Sequence, residues 1–474
     1  MSESKKRPES GLIAEGEEVG GRHWPRWEIV CLAAVALLGL LLRLHRDTAA
    51  PLITDNDDEL QFAWLGLNLI VHHAATSWSY FPGYASHTVF RDFGKTYPMV
   101  NDWLDHPPLF GYILGGFAWL LGDRTMTQVT PAQVRFLPVI FSATTVPLLH
   151  LFGRQLIDRR ASLVAALLLA TSPAAVLMGR EGEPESLQAV LLLASLLLTL
   201  WIVRQGRPGA VSLGLLVLFA AATPFMKVSG VAVGGICLVI LFAFGHWRSA
   251  LAVLAGTVAG LALYVIYGWI VDWQLFLVIW SEQVAHREGV MGAFQYLAFP
   301  SGINRDLQDG WWLLGWIGLA MFLSRRNWRR ELFLVWPAFA YAATMLLMAG
   351  QAEVEQYGWY KVIIYPEVYL GAGCLAWYAV RERSLAALTA LLVLGGATAT
   401  NWWLGGTAGG WVPSPALLVI VAGAVLVPAA IAAWRGSSRL WQEVAVWAGG
   451  LALGFIAIGN TVESFLVDAI FTHM

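Results

Sequence analysis

Apolar runs of about fifteen to twenty-two residues recur along the chain, separated by short polar breaks, which is the pattern of repeated membrane crossing. They fall at 28–44, 133–153, 161–178, 186–203, 209–225, 228–246, 249–270, 310–324, 331–350, 359–380, 384–402, 413–434 and 441–460. These thirteen spans predict an all-α integral membrane protein. One more run, Leu109 to Gly122, covers about fourteen residues and falls short of the roughly twenty needed to cross the hydrocarbon. Placing it in the interface brings Arg154/Arg159/Arg160, Arg204/Arg207, Arg248, Arg325/Arg326/Arg329/Arg330, Arg381/Arg383 and Arg435/Arg439 to the side of the basic N-terminal tail. That register obeys the positive-inside rule, so the N-terminus is expected in the cytoplasm and the C-terminus outside. The first run lacks a small-residue cleavage site and reads as a retained helix of a multi-pass plasma-membrane protein. The chain divides into a tail (1–27), a transmembrane module (28–380) with a large outer loop (45–132), and C-terminal helices (381–474).

The same parity gathers the unusual polar groups on the outer face. In Thr54-Asp55-Asn56-Asp57-Asp58-Glu59-Leu60-Gln61-Phe62, four carboxylates occupy five residues. Polar positions 58, 61, 68 and 72 then follow at helical spacing, with Phe62, Ala63, Leu67, Leu69 and Ile70 between them. This predicts an amphipathic helix lying on the membrane with acids at its N-terminus. A solvated acidic loop capping a surface helix is the plainer alternative. Outside as well are Asp102, Asp105, His106, the turn from Arg180 through Glu183 to Glu185, and the hairpin carrying Lys227. So are the loop 271–309 with Glu282, His286, Arg287 and Glu288, and the segment 351–361 ending in Tyr360 and Lys361. Each has an ordinary reading as a polar turn, an anchor or a snorkelling side chain. A lysine in a short external hairpin nevertheless runs against the loop-charge bias, and phosphate binding accounts for it. Their joint confinement to one face favours a site.

Composition narrows the class further. With 57% hydrophobic and 13% charged residues, the chain is not built as a soluble globular protein. A net charge of −2 gives no case for nucleic acid as a partner. Cys31, Cys237 and Cys374 lie inside apolar runs and form neither a metal motif nor a disulfide framework. The glycine pairs carry no phosphate-loop signature, and the spans hold few charges, with Glu367 the main exception.

Taken together, Asp58-Glu59-Leu60-Gln61-Phe62, His106-Pro107-Pro108-Leu109, Arg135, the Arg180–Glu185 turn, Lys227, Trp359-Tyr360-Lys361 and Tyr365-Pro366 resemble the GT-C glycosyltransferases. The protein O-mannosyltransferase and aminoarabinose transferase branch is the nearest, over roughly residues 28–370. The resemblance implies a GT-C-like bundle that takes a sugar from a polyprenyl-phosphate donor at the outer face. The sugar passes to a hydroxyl of an acceptor protein, lipid or glycan, with inversion. It implies a first-loop carboxylate as general base, with Asp58 the choice and Asp57 and Glu59 the other candidates. Asp55, His106, Glu183, Glu185, His286 and Tyr360 are expected to line the substrate site, with Lys227, Arg180, Lys361 and Arg287 holding the departing phosphate. The second acidic position, often Asp in relatives, is Glu185 here, with Glu183 as competitor. The extra acids Asp55 and Asp57 leave the choice of base open. No large outer domain follows the last span, which argues against the oligosaccharyltransferase branch. Asp55-x-Asp57 could hold a divalent cation, although donors of this kind generally need none, and no other cofactor is implied. A transporter or flippase of lipid-linked sugars is the alternative. It predicts charges deep in the spans and a repeat between halves, and neither is present in the sequence.

Overall fold

The computed structural model describes residues 24–285 apart from 52, 54, 55 and 57, then 311–323, 328–348, 358–384, 387, 388, 391 and 439–466. Helices dominate. They are α1 (Arg26–Leu44), α2 (Asp58–Val71), α3 (Leu109–Leu120), α4 (Pro131–Gly153), α5 (Arg159–Thr171), α6 (Pro173–Met178), α7 (Glu185–Gln205), α8 (Ala210–Met226) and α9 (Val231–Ala243). After α10 (Trp247–Ala285) come α11 (Trp311–Leu323), α12 (Trp328–Leu334), α13 (Trp336–Met348), α14 (Tyr365–Arg381) and α15 (Arg439–Leu466). Five helices among the described residues are long and apolar enough to cross a membrane, with shorter apolar helices beside them. The spans expected at 384–402 and 413–434 lie almost entirely outside the described residues.

Local chemistry explains where the helices start and break. Thr130 and Gln133 form a reciprocal capping box, with Pro131 in the first turn of α4. The span expected at 161–178 is divided because Ser172 caps a new helix that opens on Pro173. Proline has no N–H to give Leu169, four residues back. That carbonyl instead accepts a bond from Arg43 Nη2 at 3.2 Å, and Ala170 O accepts one from Nη1 at 3.3 Å. Residues 271–285, expected as loop, are helical. Asp272 takes an extended backbone conformation and accepts the N–H of Leu275 at 3.0 Å, restarting the helix. The second half folds back on the first, so that the rings of Tyr264 and Phe276 meet edge-on at 5.2 Å.

The outer loop 45–132 is an ordered unit. It holds a three-stranded antiparallel sheet of β1 (Ser77–Trp78), β2 (Thr88–Asp92) and β3 (Lys95–Val100), in the order β1-β3-β2. The β2–β3 turn uses Phe93 and Gly94 at φ 46° and 76°, the left-handed pair of a tight hairpin. Helix α2 forms as the periodicity predicts, but every residue from Glu59 to Asn68 is buried. The polar residues Gln61 and Asn68 meet the β1 strand and its flank, not water. Gln61 Nε2 donates to Trp78 O at 2.9 Å and Asn68 Nδ2 to Thr76 O at 2.9 Å. On its other side α2 packs backbone to backbone against α3. A Cβ on Gly66 would lie 1.8 Å from Gly111 O, and one on Gly115 would lie 2.1 Å from Leu67 N. Small residues permit such approach, which drives helix association in apolar surroundings.

That contact predicts an asymmetry between adjacent glycines. Gly115→Leu should separate α2 from α3 and destabilise the protein by about 1–3 kcal/mol or more, as overpacking does. Gly116→Leu should be tolerated, because a Cβ there meets nothing nearer than Ile70 Cδ1 at 3.6 Å. Thermal unfolding in detergent measures both, and equal losses would contradict the packing described.

Candidate functional site

The acid end of α2 meets the α6–α7 turn and the α8–α9 hairpin. Glu59 is wholly buried and bound bidentately by Arg135, at 2.5 Å to Oε1 and 2.7 Å to Oε2. Gly182 N–H donates to the same Oε2 at 2.7 Å. Arg135 spends its remaining terminal nitrogen on Asp47 O and Pro51 O, at 2.6 and 2.5 Å. Glu59 is thereby committed to holding four segments together. Its neighbour Asp58, one residue away on the helix, is half-buried. The backbone N–H of Asp58 donates to Asn56 Oδ1 at 3.2 Å.

The turn carries three buried carboxylates. Asn56 Nδ2 donates to Glu181 Oε2 at 2.8 Å and to Glu183 Oε1 at 3.3 Å. Lys227 Nζ lies 3.4 Å from Glu183 and 2.6 Å from Glu185, and 4.3 Å from the centre of the Tyr360 ring. Burial pushes Glu181 and Glu183 well above the usual carboxylate range. Glu59 adds to the shift at Glu181, and at Glu183 the charges of Glu185 and Asp58 work against Lys227. Burial alone disfavours the charged form of Lys227, but Glu185, Tyr360 and Glu183 outweigh it and hold the ammonium above its ordinary range.

A second carboxylate group flanks Asp58. Asp105 is buried, receives Tyr84 Oη–H at 2.6 Å and Gln61 Nε2–H at 3.2 Å, and is pushed up to about 7 by burial, with Asp58 and Glu282 adding to the rise. His106 stacks on Phe62 at 5.5 Å and meets Trp103 edge-on at 6.0 Å. Gly83 N–H donates to Glu282 Oε2 at 3.1 Å, tying the β1–β2 loop to the returning half of α10.

Of the expected site residues, the structure thus gathers Asp58, Glu59, Glu183, Glu185, Lys227 and Tyr360, with Asp105 and His106 alongside. Lys361 is wholly buried, 5.9 Å from the centre of the Trp312 ring. Arg180 is buried too, but its terminal nitrogens donate to Ala50 O at 2.8 Å and Leu42 O at 2.6 Å. As placed, it closes the chain between α1 and α2. Asp55, Asp57, His286 and Arg287 lie outside the described residues. Among the described residues no three His, Cys, Asp or Glu side chains are arranged to hold a metal ion. Asn56 and Arg43 were missed in the sequence. Asn56 was legible only as one neutral residue within an acidic run. Arg43 carries no local signal beyond its place at the end of an apolar run.

Among the described residues, Arg154, Arg204, Arg330 and Arg381 lie toward the opposite end of the helices. Helix α7 runs from Glu185 at the acid turn over 21 residues, about 30 Å, to a terminus where Arg204 Nη2 donates to Gln155 O at 2.7 Å. Near that end Glu28 binds His150 at 2.9 Å and Arg154 at 3.0 Å. A cavity of about 250 Å³ lined by Asp158, Arg330, Trp377 and Arg381 lies there too, away from the Glu181–Glu185 turn.

Residues 105–271, about a third of the chain, match the family model of dolichyl-phosphate-mannose-protein mannosyltransferases. The fold is similar to that of ArnT from Cupriavidus metallidurans in the apo state, with TM-score 0.58, 16% identity and coverage of 93% of this chain and 77% of that one. For the same protein bound to undecaprenyl phosphate the values are 0.54, 17%, 92% and 77%. The arabinosyltransferase EmbB from Mycobacterium smegmatis gives 0.54 and 16%, covering 96% of this chain and 42% of that one. The chain has the GT-C glycosyltransferase fold. No curated protein matches it in sequence.

The two adjacent acids should behave oppositely. Glu59→Gln leaves Arg135 charged and buried without a counter-ion and should cost about 3–5 kcal/mol of stability. Asp58→Asn, at a half-buried position with its amide available to the same surroundings, should cost less than about 1 kcal/mol. Thermal unfolding of the two variants checks this, and a stable Glu59→Gln protein would contradict the structural role of the pair.

Proposed function

We propose that the chain transfers a sugar from a polyprenyl-phosphate donor to an acceptor hydroxyl, with inversion, at the outer face of the plasma membrane. One observation carries the reading. A half-buried carboxylate, Asp58, stands in the same polar layer as Lys227, at the end of the helices away from the basic loops. The positive-inside rule turns that end outward. Asp58 takes the proton as the acceptor oxygen attacks the anomeric carbon. The bond from that carbon to the phosphate oxygen breaks, and polyprenyl phosphate leaves with the electron pair. Lys227 meets the charge that develops on the phosphate. A phosphate approaching Lys227 has to displace Glu183 or Glu185, and burial already favours the neutral form of Glu183. Arg180 supports the site and does not bind the donor, whereas Lys361 and Arg287 remain candidates for a second phosphate contact. That ArnT is seen with undecaprenyl phosphate supports a lipid-phosphate donor here.

The test is release of polyprenyl phosphate from a panel of polyprenyl-phosphate sugars by purified protein in nanodiscs. Asp58→Asn should reduce transfer by about 10²–10⁴-fold, the range for a lost general base. It should leave donor binding nearly intact, and near-normal turnover would remove Asp58 from the role.

Lys227 gives a separate expectation. Lys227→Met should weaken binding of a non-transferable polyprenyl-phosphate sugar by about tenfold or more, because a charge-assisted contact is lost. Unchanged affinity would shift the phosphate to Lys361 and Arg287.

A further inference from the structure

We infer that Asn56 is a positioning residue for Asp58, fixing the start of α2 and tying it to the glutamate turn that holds Lys227. The inference rests on the reading of Asp58 as general base. Asn56 is only 6% exposed, and both ends of its amide are used. Oδ1 accepts the Asp58 N–H at 3.2 Å, while Nδ2 donates to Glu181 at 2.8 Å and to Glu183 at 3.3 Å. The far oxygen of Glu183 is 3.4 Å from Lys227 Nζ. A continuous chain of direct contacts therefore runs from the start of α2, through one amide and one carboxylate, to the ammonium.

The amide is chemically specific to this place. Its neighbours Asp55, Asp57, Asp58 and Glu59 are all acids. A carboxylate at 56 would turn acceptor oxygens toward two further buried carboxylates, which need donors. Serine caps a helix about as well as asparagine, yet it is too short to span from the Asp58 N–H to both glutamates. A misplacement of about 1 Å at a reacting group can cost 10²-fold in rate. Loss of the tether should therefore appear in the chemical step before it appears in folding or binding.

The experiment compares transfer kinetics and thermal unfolding of wild type, Asn56→Ser and Asn56→Asp, using the polyprenyl-phosphate sugar that wild type consumes. The serine variant should melt close to wild type and keep its donor KM, while kcat falls about 10- to 100-fold. The aspartate variant keeps size and cap and should lose at least as much kcat. Wild-type kcat in either variant would overturn the inference, and so would a loss of kcat matched by an equal loss of stability in both. A double-mutant cycle with Glu183→Ala adds an independent readout. Effects on kcat should be non-additive if Asn56 acts through Glu183, and simple additivity would overturn that link. Asp58→Asn run in parallel separates the two readings. An active Asp58→Asn removes the base assignment, whereas an inactive one beside a fully active Asn56→Ser removes this inference alone.

Discussion

The acid end of the molecule depends on one ion pair, Glu59 with Arg135. Neither partner touches solvent, and burying both is costly unless every donor and acceptor is met. Here they are met: Arg135 reaches Glu59, Asp47 O and Pro51 O, while Glu59 also receives Gly182 N–H. The pair therefore fastens α2, α4, the connection from α1 and the α6–α7 turn at a single point. It also divides labour between adjacent acids. Successive helical residues point about 100° apart, so fixing Glu59 inward turns Asp58 toward a different part of the site and leaves it half-buried.

Around this point carboxylates outnumber the cations that face them, and at three of them burial outweighs pairing. Asp105, Glu181 and Glu183 are all pushed up, chiefly by desolvation. At Lys227 the carboxylate neighbours raise the ammonium against the same burial.

Much of this was legible along the chain. Hydropathy located most described apolar helices to within a few residues, five of them long and apolar enough to cross a membrane. The polar residues singled out as one face, from Asp58 through Glu183, Glu185 and Lys227 to Tyr360, do converge at one end of the helices. Less visible were features that depend on contact rather than pattern. The sheet at 77–100 has short strands, and β2 is mostly exposed, so no run of alternating apolar residues marks it. The polar stripe of α2 looked like a water-facing surface, since nothing local shows that Gln61 and Asn68 find backbone carbonyls. The fold-back at Asp272 rests on one residue leaving the helical region, and Asp is not a strong breaker. Asn56 gave no local signal beyond its neutrality.

The buried arginines clarify why a lysine, and not an arginine, is the chemical candidate. Arg43, Arg135 and Arg180 each send terminal nitrogens to backbone carbonyls: Leu169 and Ala170, Asp47 and Pro51, Ala50 and Leu42. Those carbonyls belong to helix ends and to the irregular chain between α1 and α2, where an apolar interior offers no water to satisfy them. A planar group with five donors suits that task, and each arginine surrendered to a ligand would orphan several carbonyls at once. Lys227 has carboxylates as its charged partners. Exchanging one of these for a phosphate keeps the ammonium paired, and a carboxyl group displaced in a region that favours protonation can become neutral. Ligand exchange at the lysine is therefore compatible with an intact fold, and at the arginines it is not.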